Sequence, residues 1–238
     1  MKLKNYLSFG GGVNSVAMYL LLKDQGVDFE AVFVDHGTDW PETYSYVDIF
    51  KKMYPLTVLK PRLKENGKTY SNLYEYCWDE KIFPFRHFRW CTEKFKVKPI
   101  YNYIKTPCFM FLGFASDEAH RAKISHNKGV ENRFPLIESE INRQECKNLI
   151  KKHRLPIPQK SGCYICPFQR TAQFKNLRRK HPELFCKAEQ LEKRKIDERK
   201  RIGKKPIYIL NASLRSVVDE NQMQVFKQDE YPPCECML

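Results

Sequence analysis

Two groups of residues in this chain could do chemistry. One is a glycine turn ending in a serine; the other is a set of cysteines. The stretch Ser8-Phe9-Gly10-Gly11-Gly12-Val13-Asn14-Ser15 lies between an apolar run, Tyr6 to Phe9, and a helical pattern, Val16, Met18, Leu20, Leu21 and Leu22. Strand, glycine turn and helix together make an anion site. Glycine lets backbone N–H groups point into one concavity, and the helix N-terminus adds its positive end. Ser8, Gly10, Gly11, Gly12 and Asn14 form the turn, and Ser15 stands where its hydroxyl can join the N–H groups. A plain tight turn needs one glycine, not three in a row. No Gly-Lys-Ser/Thr follows, which excludes a Walker loop, and no GxGxxG with a ribose acid is present. Farther on, Cys163-Tyr-Ile-Cys166-Pro167 has the spacing of half a metal site. The chain has nine cysteines, an odd number, and clustered cysteines in a reducing compartment read as metal ligands or reactive thiols before disulfides. In Asp35-His36-Gly37-Thr38-Asp39-Trp40-Pro41-Glu42, Asp35 and Asp39 are carboxylates that can hold Mg²⁺ or a ribose hydroxyl. Asp39 or Glu42 could equally cap the next helix.

These residues need a scaffold. The first sixty residues alternate strand and helix: Tyr6–Phe9, Val13–Gln25, Phe29–Asp35, Pro41–Tyr54 and Thr57–Leu59. Strands separated by helices predict a parallel sheet with right-handed crossovers, which binds ligands at the carboxyl ends of its strands. Ser8–Ser15 and Asp35–Glu42 both fall at such ends. Residues 92–105 read as a helix with Thr92 as N-cap, and Cys108–Phe114 as a buried strand leading to the charged loop Asp117–Arg121. Helices are expected over 142–153, capped by Asn142, then Thr171–Lys180 and Pro182–Arg201. Between residues 61 and 90 aromatics interleave with basic residues, a mixture suited to packing under a lid and also to stacking on bases. The expected organisation is α/β: a nucleotide-binding domain over 1–140, then a Cys-rich, basic, mainly helical region over 141–238.

The length fits one domain or a domain with an appendage, and 42% hydrophobic residues suffice for a core. The formal charge of +14 favours anionic partners such as nucleotides or nucleic acid. The basic run over 193–205 also reads as a solvated helix face. Val16–Leu22 is short and amphipathic, no window approaches a membrane span, and no signal peptide is evident, so a cytoplasmic protein is expected.

The motifs taken jointly resemble the adenine-nucleotide α-hydrolase (PP-loop ATP pyrophosphatase) superfamily, and within it the phosphoadenosine-phosphosulfate (PAPS) reductase-like family. "SFGGGVNS" resembles its pyrophosphatase loop, with Gly10 and Asn14 in place of the usual serine and aspartate. "DHGTDWPETY" resembles "DTGxExPET", "LGFASDEAHR" resembles an element that points to Arg121, and "RWCTEKFKVKP" resembles "CTxxxKxxP", which points to Lys96 and Cys91. The resemblance covers residues 5 to about 170. It implies a HUP-like parallel twisted sheet with helices on both faces and a helical C-terminal part. It implies attack on the α-phosphorus of ATP, with pyrophosphate released and charge neutralised by the loop, Ser15, Arg121, Lys96 and Mg²⁺. The stretch from Cys146 to Cys166 resembles family members with a cysteine-ligated cluster. On that basis Cys91, Cys146, Cys163 and Cys166 are the expected ligands of a 4Fe–4S cluster, with zinc as second choice. The leading function is activation of an acceptor, nucleic acid by expectation, for sulfur transfer as in phosphorothioation and tRNA thiolation. The sulfur donor would be a cysteine desulfurase or a thioredoxin-like reductant. One alternative is a sulfonucleotide (APS/PAPS) reductase releasing sulfite, in which Cys236 near the C-terminus would attack. The other is a non-catalytic nucleotide-binding partner subunit.

Overall fold

The computed structural model describes residues 3–122 and 127–219. The chain runs β1 (Lys4–Ser8), α1 (Val13–Asp24), β2 (Glu30–Val34), α2 (Pro41–Met53) and β3 (Thr57–Leu59). A hairpin of β4 (Leu63–Glu65) and β5 (Lys68–Tyr70) leads to α3 (Leu73–Asp79). A composite helix follows: one α turn, α4 (Trp90–Thr92), a π turn over Glu93–Val97, and α5 (Lys98–Tyr103). Then come β6 (Cys108–Leu112), a 3₁₀ turn over Ser116–Arg121, β7 (Val130–Arg133), α6 (Pro135–Glu138) and α7 (Arg143–Lys152). The helices α8 (Thr171–Lys180), α9 (Pro182–Arg201) and α10 (Leu214–Asp219) complete the described chain.

The main sheet has the order β3-β2-β1-β6-β7, and all its pairs are parallel. Alternation along β1 decides which face each side chain serves. Leu7 enters one core with Val16, Met18 and Leu20 of α1, while Tyr6 enters the core on the opposite face with Val32, Met110 and Ile100. Helices therefore cover both faces. After β3 the chain returns to the other side of β1 and lays down β6, so the sheet reverses its building direction between β1 and β6. That switch point opens a crevice at the carboxyl ends of the two strands. A third core joins α3, α8, α9 and the CxxC segment.

Several details depart from the sequence reading. α1 is not amphipathic: from Val13 to Leu20 every residue is buried, because the sheet and α7 enclose it. Thr92 is not an N-cap. Its backbone is already helical, the helix starts at Trp90, and the next turn widens to π geometry. The segment over 61–90 holds a hairpin and a helix, and its aromatics Tyr70, Tyr76 and Phe83 are core residues, while Phe88 is exposed. Asn142 does cap its helix, with a capping box completed by Glu145. No helix among the described residues is long and apolar enough to cross a membrane.

Candidate functional site

The site begins where β1 ends. Gly11 takes φ +69°, a left-handed turn that only glycine adopts without strain. Gly12 is the N-cap of α1 and offers no side chain to the first-turn N–H groups. The first bond of the helix runs from Val16 N–H to Gly12 O at 3.0 Å, so the N–H groups of Val13, Asn14 and Ser15 lie outside the helical ladder. They form the anion cradle expected of a helix N-terminus. Ser15 is fully buried, and its hydroxyl donates to Gly12 O at 3.0 Å, bracing the turn from within. The Asn14 side chain is also buried and faces away from the cradle, toward Glu118 and Arg143.

Two other segments close on this turn. Just after β6, a Cβ on Gly113 would stand 3.1 Å from backbone atoms of Asn14 and Ser15, so the exit of β6 and the first turn of α1 approach as closely as backbone allows. Across the opening, Ser161 Oγ lies 2.7 Å from where a Cβ on Gly12 would be. The Ser161–Tyr164 segment is tied to the loop after β2: Trp40 N–H donates to Gly162 O at 3.0 Å and Tyr164 N–H to Thr38 O at 2.9 Å. Half of the CxxC pair is thereby fixed beside the turn.

A crevice beside the turn lies between the ends of β1 and β2, walled by Phe9, Val32, Phe33 and Ile100, with Asp39 and Lys96 as its charged groups. Its enclosed space is about 50 Å³, room for a water or two, so any nucleotide phosphates would lie in the open mouth. Asp39 is almost fully buried. Burial works to raise its pKa, but the His36 imidazole and the Lys96 ammonium outweigh that and hold it at about 2. His36 Nε2 lies 3.4 Å from Asp39 Oδ2, and His36 Nδ1 pairs with Thr38 Oγ1 at 2.7 Å. Thr38 Oγ1 also accepts from the Cys163 thiol at 3.0 Å. Asp35 instead shapes the loop: its Oδ1 accepts from Gly37 N–H and from the Tyr44 hydroxyl, each at 3.0 Å.

Of the residues expected from sequence, Ser8, Gly10, Asp39 and Lys96 line the crevice together. Gly11, Gly12, Asn14 and Ser15 build the turn beside it. Arg121 lies on the Asn14 side, ion-paired to Glu118 at 2.5 Å, with its guanidinium over the Phe114 ring. Sequence reading misses His36, Thr38, Glu118, Arg143 and Ser161. Glu118 stands inside the "LGFASDEAHR" element, whereas Arg143 carries no local signal.

The four expected thiols are not brought together. Cys91, Cys163 and Cys166 share the third core with Cys77. Cys146 belongs to a different core, beneath α1, because it and Ile150 lie one turn apart on the buried face of α7. Burial pushes the Cys146 thiol up to about 12 and raises those of Cys91 and Cys163. Among the described residues, no group of three or more His, Cys, Asp or Glu side chains could hold a metal ion. The four-thiolate set does not fit a 4Fe–4S cluster or zinc, and no step below passes through one. Cys234 and Cys236 lie outside the described residues.

Comparison with known proteins agrees with this geometry. Residues 4–159 match the model of the phosphoadenosine phosphosulfate reductase domain, and the chain belongs to that family. It resembles two uncharacterized proteins of Methanocaldococcus jannaschii. MJ0973 is 28% identical over 207 residues, and MJ0066 is 26% identical over 208. Each match covers 78% of this chain but only 47% and 40% of the relatives, so the chain spans less than half of their length. The fold is also similar to a crystal structure of phosphoadenylyl-sulfate (PAPS) reductase from Candida auris in a phosphate complex. The TM-score is 0.50 at 15% identity, covering 66% of this chain and 76% of that one.

Proposed function

We propose that the protein binds an adenine nucleotide at the mouth of the crevice beside the end of β1 and promotes attack at its α-phosphorus. The observation that carries this reading is the uncapped N-terminus of α1 beside Lys96 and Asp39 at the carboxyl end of β1. The outer phosphates would take the N–H groups of Val13, Asn14 and Ser15. An acceptor oxygen would then bond to the α-phosphorus as the bond to the bridging oxygen breaks, and pyrophosphate would leave. Lys96 would offset the charge gathered on that leaving group. A magnesium ion, usually held by one or two carboxylates and the phosphates themselves, would add Lewis-acid charge when bound, with Asp39 as its protein ligand.

The acceptor we propose is nucleic acid activated for sulfur transfer, with sulfur supplied by a desulfurase-type or thioredoxin-like partner. The net charge of +14 and the thiols beside the crevice support it. A second reading, a sulfonucleotide reductase, is favoured by the family match.

Product analysis separates the two. With ATP and a nucleic-acid acceptor, the first reading expects pyrophosphate. With APS or PAPS and reduced thioredoxin, the second expects sulfite. Sulfite without pyrophosphate would overturn the first reading, and nucleotide binding with neither product would favour the partner-subunit role.

A further inference from the structure

We propose that Glu118 and Arg143 are positioning residues that set the glycine turn through the Asn14 carboxamide, and that Glu118 is the reason position 14 carries asparagine. This deepens the reading of the turn as a phosphate site and rests on it.

The carboxamide is gripped at both edges. Asn14 Nδ2 donates to Glu118 Oε2 at 2.5 Å, and Asn14 Oδ1 accepts from Arg143 Nη1 at 3.3 Å. The second Glu118 oxygen, Oε1, accepts from Arg121 Nη1 at 2.5 Å. Glu118 and Asn14 are 6% and 5% exposed, so water does little to screen the arrangement. A carboxamide is the side chain that fits here: it presents a donor to the carboxylate and an acceptor to the guanidinium. Its backbone N–H is one of the three in the cradle, so fixing the side chain from behind fixes the direction of that donor. The three partners come from distant places. Glu118 is on the 3₁₀ turn after β6, Arg143 is the first residue of α7, and Asn14 is in the first turn of α1. The close approach at Gly113 brings the β6 exit against α1, and the packing of α7 on α1 brings Arg143.

Asn14→Asp makes the argument testable. It restores the acid common in the family's loop but sets two carboxylates face to face, and one of them must take up a proton for the contact to survive. Adding Glu118→Gln returns a donor opposite the new acid. The swapped pair then reverses the original polarity, and the new carboxylate faces Arg143 as a direct ion pair.

The experiment titrates ATP into the full-length chain at pH 7.5 by calorimetry, with thermal midpoints recorded for every variant. Asn14→Asp should weaken ATP binding about ten-fold or more, which is about 1.4 kcal/mol. The double variant Asn14→Asp with Glu118→Gln should return to within about three-fold of the starting protein. Arg143→Ala should cost more in the swapped background than in the original one. A double variant no better than Asn14→Asp, or an equal Arg143→Ala effect in both backgrounds, overturns the proposal. If the unaltered protein binds no adenine nucleotide, the functional reading falls. The thermal midpoints then decide the network separately, with the same order of variants expected.

Discussion

Gly113→Ala tests how tightly the crevice is built. Gly113 follows β6, and the added methyl would stand 3.1 Å from Asn14 C, Ser15 N and Ser15 Cα. These are backbone atoms at the start of a buried helix, so no side chain can swing aside. Forcing a methyl into such a contact costs about 1–3 kcal/mol. For a chain of this size that is a fall in Tm of roughly 2–12 °C, at about 2–4 °C per kcal/mol. The shift should not stay local. Separating β6 from α1 moves the N–H groups of Asn14 and Ser15, so nucleotide affinity should fall as well. Gly162→Ala is the control for stability: it also lies at the crevice, but a Cβ there meets nothing within 4 Å, so its midpoint should stay within about 0.5 kcal/mol of the parent. Differential scanning calorimetry with a parallel nucleotide titration reads both quantities. A Gly113→Ala protein with unchanged midpoint and affinity would refute the claim that the β6 exit and the start of α1 are in enforced contact.

Cys146→Ala should lower stability by about 1–2 kcal/mol through the lost sulfur packing under α7, with nucleotide affinity and iron or zinc content unchanged in the same preparation. Asp39 has a folded pKa of about 2, below the ordinary carboxylate value of 3.8, so its contribution to stability is complete above about pH 4 and is lost as pH falls toward 2. Urea midpoints measured across that window should fall less steeply for Asp39→Asn than for the parent. Glu192 is buried and accepts from Ile209 N–H and Leu214 N–H, each at 2.9 Å, so Glu192→Ala leaves two buried donors unpaired. It should cost about 2–4 kcal/mol and open the residues after α9 to proteolysis, read by limited digestion and mass spectrometry.

The first third of the fold is legible because its signals are local. Apolar periodicity locates β1, α1, β2, α2 and β3, and glycines at the end of a strand locate the turn. The short elements are not legible. β4 and β5 have three residues each, and β7 buries only Val130 of its four, too little for an alternation to register. Thr92 looks like a cap because Cys91–Thr92 precedes a helical pattern, but packing of the neighbouring aromatics carries the helix one turn further back. The thiol set fails for a related reason. Cys146 and Ile150 have the spacing of a buried helix face, while family likeness reads the cysteine as a ligand. The Asn14 network joins residues 104 and 129 positions apart, and no local pattern announces such contacts.

The central claim is that the turn Gly10–Ser15 receives nucleotide phosphates at the carboxyl end of β1. A crystal structure of the full chain with a non-hydrolysable ATP analogue tests it most directly. The account predicts the outer phosphates on the N–H groups of Val13, Asn14 and Ser15, with Lys96 facing them. An analogue bound elsewhere, or one whose phosphates point away from α1, would contradict it.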